Sequence, residues 1–171
     1  MRIYSNTQDN KARFLLGEKG KKILVCIGIN PSTAKPNKLD NTLRSVKRFA
    51  NNLGYDGRVM INICPQRATN PNDLDISINK INHQRNVEEI SNFFEKNNCD
   101  IRAARGNLIE KRQYLKQCLE NIYENIRNKA INWHSIGKIS KRGHPHHPLY
   151  LNKDLKLDSF DIEKYINNLK L

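Results

Sequence analysis

Apolar residues gather in four short runs. Residues 22–29 read KILVCIGI, 58–64 RVMINIC, 100–104 DIRAA and 131–136 INWHSI. Runs this continuous suit strands buried on both faces of a parallel sheet. Between them the apolar positions recur at helical spacing. Asp40 can cap a helix that reaches Leu53 with Leu43, Val46, Ala50 and Leu53 on one face, and Gly54 ends it. Residues 83–96 carry Val87, Ile90 and Phe94, and residues 107–127 carry Leu108, Leu115, Leu119, Ile122 and Ile126. A last helix spans about 159–169, with Ile162, Tyr165, Ile166 and Leu169, and residues 11–16 add an edge strand. The order strand–helix–strand–helix–strand–helix–strand–tail–helix predicts an α/β fold. It is a three-layer sandwich whose central sheet is mainly parallel, with right-handed crossovers. The polar stretch 65–82, with Pro65 and Pro71, is long for a loop inside a domain, and such loops tend to carry function.

Length and composition narrow this picture. At 171 residues and 37% apolar, the chain fits a single domain, with its core in 22–151. No apolar stretch reaches the ~18 residues that span a bilayer. Residues 1–22 show no signal-peptide h-region, so a soluble cytoplasmic protein is expected. Cys26, Cys64, Cys99 and Cys118 form no C-x-x-C pair and lie at no zinc-finger spacing. They are read as buried structural thiols, with no cofactor, metal or disulfide framework. The net charge of +13 changes the picture most, because such a field attracts polyanions. No basic amphipathic helix stands out, which points away from a membrane surface and toward nucleic acid or a nucleotide, DNA before RNA. The oligomeric state is not legible.

In open α/β sheets, ligands bind beyond the carboxyl ends of the strands. The first run is followed by Gly28, Ile29, Asn30, Pro31, Ser32 and Thr33. The second contains Asn62 and leads to Arg67 and Thr69, and the third leads to Gly106 and Asn107. The fourth is followed by Lys141, Arg142, Gly143, His144, Pro145, His146 and His147. Asn62, an amide inside an apolar strand, needs hydrogen-bond partners, either a base edge or a neighbouring loop. Lys141 and Arg142 beside Gly143 suit a phosphate, or are simply solvated. The three histidines lack a carboxylate or cysteine that would complete a zinc set.

Four motifs occur in sequence. They are Gly28-x-Asn30-Pro31-Ser32-Thr33-Ala34, Asp40-x-Thr42-x-Arg44, Asn62 followed by Arg67-Ala68-Thr69-x-Pro71, and Gly143-x-Pro145-x-His147-Pro148-Leu149-Tyr150. Together they resemble an uncharacterised bacterial and phage family, domain of unknown function 1643. More distantly, Gly28-x-Asn30-Pro31, Asn62, Gly106 and His147-Pro148 resemble the ordered motifs of the uracil-DNA glycosylase superfamily. Arg105 stands where that superfamily carries a tryptophan, and either His144 or His147 can hold the place of its late histidine.

The distant resemblance implies a glycosylase-like fold and hydrolysis of the N-glycosidic bond of uracil or a modified base. In that reading Asn30 positions water, Asn62 reads the base edge and His147 stabilises the departing base. Gly28, Pro31, Ser32, Thr33, Arg67, Thr69, Gly106, Asn107, Lys141, Arg142 and His144 are the remaining substrate contacts. An amide is no general base, so hydrolysis driven by Asn30 alone is slow. The alternatives are a non-catalytic base-binding module and an enzyme acting on free nucleosides or nucleotides.

Overall fold

The four apolar runs form the inner strands of one sheet. The computed structural model describes residues 1–104, 106–137, 139–147 and 156–169. Arg105 and the 148–150 segment of the last motif lie outside the described residues. The inner strands are β3 (Ile23–Gly28), β4 (Gly57–Asn62), β5 (Cys99–Ala103) and β6 (Trp133–Ile136). They are joined to β1 (Arg2–Asn6), β2 (Arg13–Glu18) and β7 (Leu157–Ser159) in the order β1-β2-β4-β3-β5-β6-β7.

The expectation of a mainly parallel sheet needs correction. The pairings β4·β3, β3·β5 and β5·β6 are parallel, whereas β1·β2, β2·β4 and β6·β7 are antiparallel. The fold is therefore a mixed α/β sheet with a parallel centre. The edge strands β1 and β7 are short and half exposed, so they lack the continuous apolar signal that marks the centre, and β2, expected at an edge, is mostly buried between β1 and β4.

The period of two along each strand divides the core. Ile23, Val25 and Ile27 of β3 join Val59, Ile61, Ile101 and Ala103 in one cluster with the helices α2 (Lys80–Lys96), α3 (Tyr114–Ile126) and α4 (Ile162–Leu169). On the opposite face Cys26 and Met60 pack with Leu43 and Val46 of α1 (Asn41–Asn52). Each fully buried Leu or Ile in these clusters contributes roughly 1.5–3 kcal/mol.

Helix boundaries follow their caps. Asp40 caps α1 by accepting from the Leu43 amide at 2.9 Å. α2 starts three residues earlier than its apolar spacing suggests, because Asn79 accepts from the Asn82 amide at 3.0 Å. Residues 107–113 do not join α3. Gly106, at φ +58°, turns the chain into a 3-10 turn over Gly106–Glu110, and α3 begins only at Tyr114. The 65–82 stretch is tied down rather than loose: Arg112 donates to the carbonyls of Asn72, Leu74 and Asp75.

Candidate functional site

The chain leaves β3 toward β4 on one side and leaves β5 toward β6 on the other. That reversal opens a crevice above the carboxyl ends of β3 and β5. A cleft of about 410 Å³ fills this place. Gly28, Asn30 and Ser32 line it from the loop after β3, and Asp40 and Thr42 from the start of α1. Thr69 lines it from the loop after β4, Leu108 from the 3-10 turn after β5, and His147 from the segment after β6. The strand ends thus converge as the apolar runs imply.

Asn30 is held by its neighbours. Its Nδ2 donates to the carbonyls of Ala68 at 2.8 Å and Pro31 at 3.1 Å, which stitches the two loops together. With both amide protons engaged, Oδ1 is the polar atom left to meet a ligand in the cleft. Gly28 forms part of the floor for a steric reason. A Cβ there would lie 2.6 Å from Met60 Cε and 3.0 Å from the Asn62 side-chain amide.

Asn62 sits below that floor and does not line the cleft, contrary to the expectation that it reads a base edge. It is 0% exposed. In the amide orientation that satisfies both ends, Nδ2 donates to the Asn30 carbonyl and Oδ1 accepts from Arg13 Nη2, both at 3.3 Å. Its own carbonyl accepts from Asn86 Nδ2 at 2.9 Å. The polar residue in the apolar strand therefore supports the Asn30 loop from beneath.

Arg13 projects from β2 into the lining at 2% exposure, with Nη1 donating to the Ala34 carbonyl at 3.3 Å. Burial, then the nearby charge of Arg67, lowers its pKa to about 10, and Asp40 opposes the shift. Arg102 on β5 is still more enclosed. It is 1% exposed, its guanidinium lies 5.0 Å from the Phe49 ring centroid, and Nε, Nη1 and Nη2 have no hydrogen-bond partner among the described residues.

His147 reaches the cleft because the Gly106 amide donates to the Pro145 carbonyl at 2.8 Å, pinning its segment to the end of β5. Burial and then the charge of Arg102 hold its imidazole below the ordinary histidine pKa, with Asp40 pulling the other way. The ring is therefore neutral at pH 7 and keeps a single N–H.

His144 does not face the cleft. It is 2% exposed, with Nδ1 2.8 Å from the Tyr165 hydroxyl and Nε2 3.1 Å from Glu110 Oε1. Arg142 donates to Glu110 Oε2 at 2.8 Å, so its charge is already matched, and Lys141 is exposed on the same turn. Hydrogen bonding from His144, then the charge of Arg142, holds the Glu110 carboxyl below the ordinary range against the opposing effect of burial. This cluster anchors the 140–147 segment to α4 and the 3-10 turn. Of the two late histidines, His147 is the one at the cleft.

The other expected contacts are spread more widely. Pro31 is buried, and its carbonyl accepts from the Ala68 amide at 2.9 Å. Asn107 is exposed beside Leu108, while Thr33 and Arg67 line a neighbouring depression. Sequence reasoning did not place Arg13, Arg102 or Asp40 at the site, although Asp40 stood out as a helix cap. The signal for the two arginines was present: Arg13 stands directly before the apolar residues Phe14, Leu15 and Leu16, and Arg102 lies between Ile101 and Ala103. Among the described residues, no three His, Cys, Asp or Glu side chains are grouped to hold a metal ion. Likewise, no helix among them is long and apolar enough to cross a membrane. All four cysteines are buried.

Fold and cleft together define a mixed α/β domain with one polar, cation-backed crevice at its topological switch point. The family model described as Protein of unknown function (DUF1643) matches residues 13–149, and the chain belongs to that family. No curated protein matches the chain, and no solved structure matches it.

Proposed function

We propose that the chain takes one nucleotide of a nucleic acid into this cleft and hydrolyses its N-glycosidic bond, releasing uracil or a modified base. The resemblance to the uracil-DNA glycosylase superfamily motivates the reaction. The observation that carries the reading is that Asn30 and His147 share one cleft at the switch point, although 117 positions of chain separate them (147 − 30).

Cleaving this bond builds positive charge on the sugar and negative charge on the departing base. Water held by Asn30 Oδ1 attacks the sugar carbon, and the base leaves with the electron pair of the broken C–N bond. Asp40 is the carboxylate in the lining that can accept the proton of that water and face the developing sugar cation. Its Oδ1 is engaged by the Leu43 amide, which leaves Oδ2 for this role. The neutral imidazole of His147 donates to a base carbonyl as charge accumulates there. With Asn62 enclosed, the base edge is read by lining groups such as the Thr42 and Thr69 hydroxyls.

The test incubates labelled oligonucleotides bearing uracil or modified pyrimidines with the protein, then cuts abasic sites with alkali. Losing one preorganised donor costs about 10²–10³ in rate, so His147→Ala should nearly silence single-turnover cleavage while the melting temperature stays near that of the parent. If stoichiometric protein yields no abasic site on any of these substrates, hydrolysis is refuted. Tight binding that persists in that case defines a binding module.

A further inference from the structure

A second depression of about 580 Å³ adjoins the cleft. Ser32 and Thr69 belong to both, and their hydroxyls lie 3.4 Å apart on the ridge between them. Lys35, Lys38 and Arg67 line the second depression, and no carboxylate does so among the described residues.

The two lysines are brought together by the backbone. In the turn Lys35-Pro36-Asn37-Lys38 the Lys35 amide donates to the Lys38 carbonyl and the Lys38 amide to the Lys35 carbonyl, each at 3.0 Å. Pro36 presets the first corner of that turn. A doubly hydrogen-bonded pair stands about 5.5 Å apart at Cα, with both side chains on one face. Like charges placed opposite each other in this way destabilise the turn. Both lysines are exposed, and neither has a salt-bridge partner among the described residues.

Arg67 adds a third cation. Its guanidinium donates to the carbonyls of Ser32 and Ala34 and to the Tyr4 hydroxyl. A cation pair set side by side, a guanidinium next to it and no carboxylate among the described lining residues call for an anion. The shared Ser32–Thr69 ridge calls for an anion covalently continuous with whatever occupies the cleft. Arg142, by contrast, is neutralised by Glu110.

We infer that this groove carries the sugar–phosphate backbone of a nucleic-acid strand whose neighbouring nucleotide occupies the cleft, with Lys35 and Lys38 on its phosphates. The inference rests on the proposed reading of the cleft and extends it to the path of the strand.

The test measures binding of a fluorescein-labelled single-stranded oligodeoxynucleotide across a salt series, for the parent and for Lys35→Ala/Lys38→Ala. Deoxyuridine, which carries no phosphate, serves as a probe of the cleft alone. Losing two phosphate contacts on a single strand flattens the log–log salt slope by about 1.4. A step from 50 to 200 mM salt should therefore cost the variant about sevenfold less affinity than it costs the parent. Deoxyuridine binding should not change, and the melting temperature should equal or exceed that of the parent. An unchanged slope and affinity for the oligonucleotide would overturn the inference while leaving the reading of the cleft intact. Parent protein that binds neither probe would overturn both. An oligoribonucleotide arm reports whether the backbone is read with or without its 2′-hydroxyl, and equal flattening on both strands supports recognition through phosphate.

Discussion

Replacing Arg102 by methionine should stabilise the protein while disturbing its site. Arg102 is 1% exposed, and among the described residues none of its three guanidinium nitrogens has a hydrogen-bond partner. Burial pushes its pKa below the ordinary value. Exchanging buried ionic groups for apolar ones of similar volume is often neutral or stabilising, by up to about 4 kcal/mol. The exchange forfeits the Phe49 cation–π contact at 5.0 Å, which is worth about 0.5–2 kcal/mol. The net expectation is a gain of about 1–2 kcal/mol, or a melting temperature higher by about 2–8 °C for a chain of this size. Because the charge of Arg102 also lowers the His147 pKa, that pKa should move up in the variant and still stay below the ordinary value, since burial is the larger cause. Calorimetry reads the first effect, and histidine-ring NMR titration, assigned through His147→Gln, reads the second. A melting temperature several degrees lower would show that the guanidinium is compensated in the native protein. An unmoved His147 titration would separate the two residues electrostatically. Either result refutes the argument that an uncompensated cation backs the cleft.

Other expectations concern single contacts. Gly17→Ala places a Cβ 2.1 Å from the Arg58 carbonyl oxygen and 2.7 Å from Val59 Cα, both backbone atoms. It should destabilise by about 1–3 kcal/mol in urea titration and loosen the amides of the β2·β4 pairing to hydrogen exchange. Asp40→Ala removes the α1 cap and should cost about 1 kcal/mol, whereas Asp40→Asn keeps most of the cap and loses only the charge. If abasic-site formation survives Asp40→Asn unchanged, Asp40 takes no proton. His147 and His83 both have folded pKa values below 6.5, in each case with burial as the leading cause. Below pH 6.5 the unfolded chain therefore binds more protons than the folded one. Stability should be fully present above about pH 6.5 and should fall as pH drops from there toward the lowered folded values. Urea midpoints that stay flat between pH 7.5 and 5 would contradict this.

The four inner strands and four helices were legible in the chain because each buries a long, periodic apolar surface, and that periodicity is a local property. The placement of the site at the strand ends followed from the same pattern, and Asn30 and His147 do share the cleft. What the chain did not show is which polar residue faces outward. Asn62 and Arg102 look alike in sequence, each a polar residue flanked by apolar ones, and both turn out to be enclosed. Their partners come from distant elements: Arg13 and the Asn30 carbonyl for Asn62, and Phe49 of α1 beneath Arg102. The same holds for His144 and His147, three positions apart. Tyr165 and Glu110 claim the first, and the Gly106 turn presents the second. The antiparallel edges β1 and β7 escaped notice because half-exposed strands are defined by their neighbours more than by their own residues. Local sequence thus determined the elements and the rim on which a site must form. Only tertiary packing decided which of these side chains are enclosed beneath the site and which line the cleft.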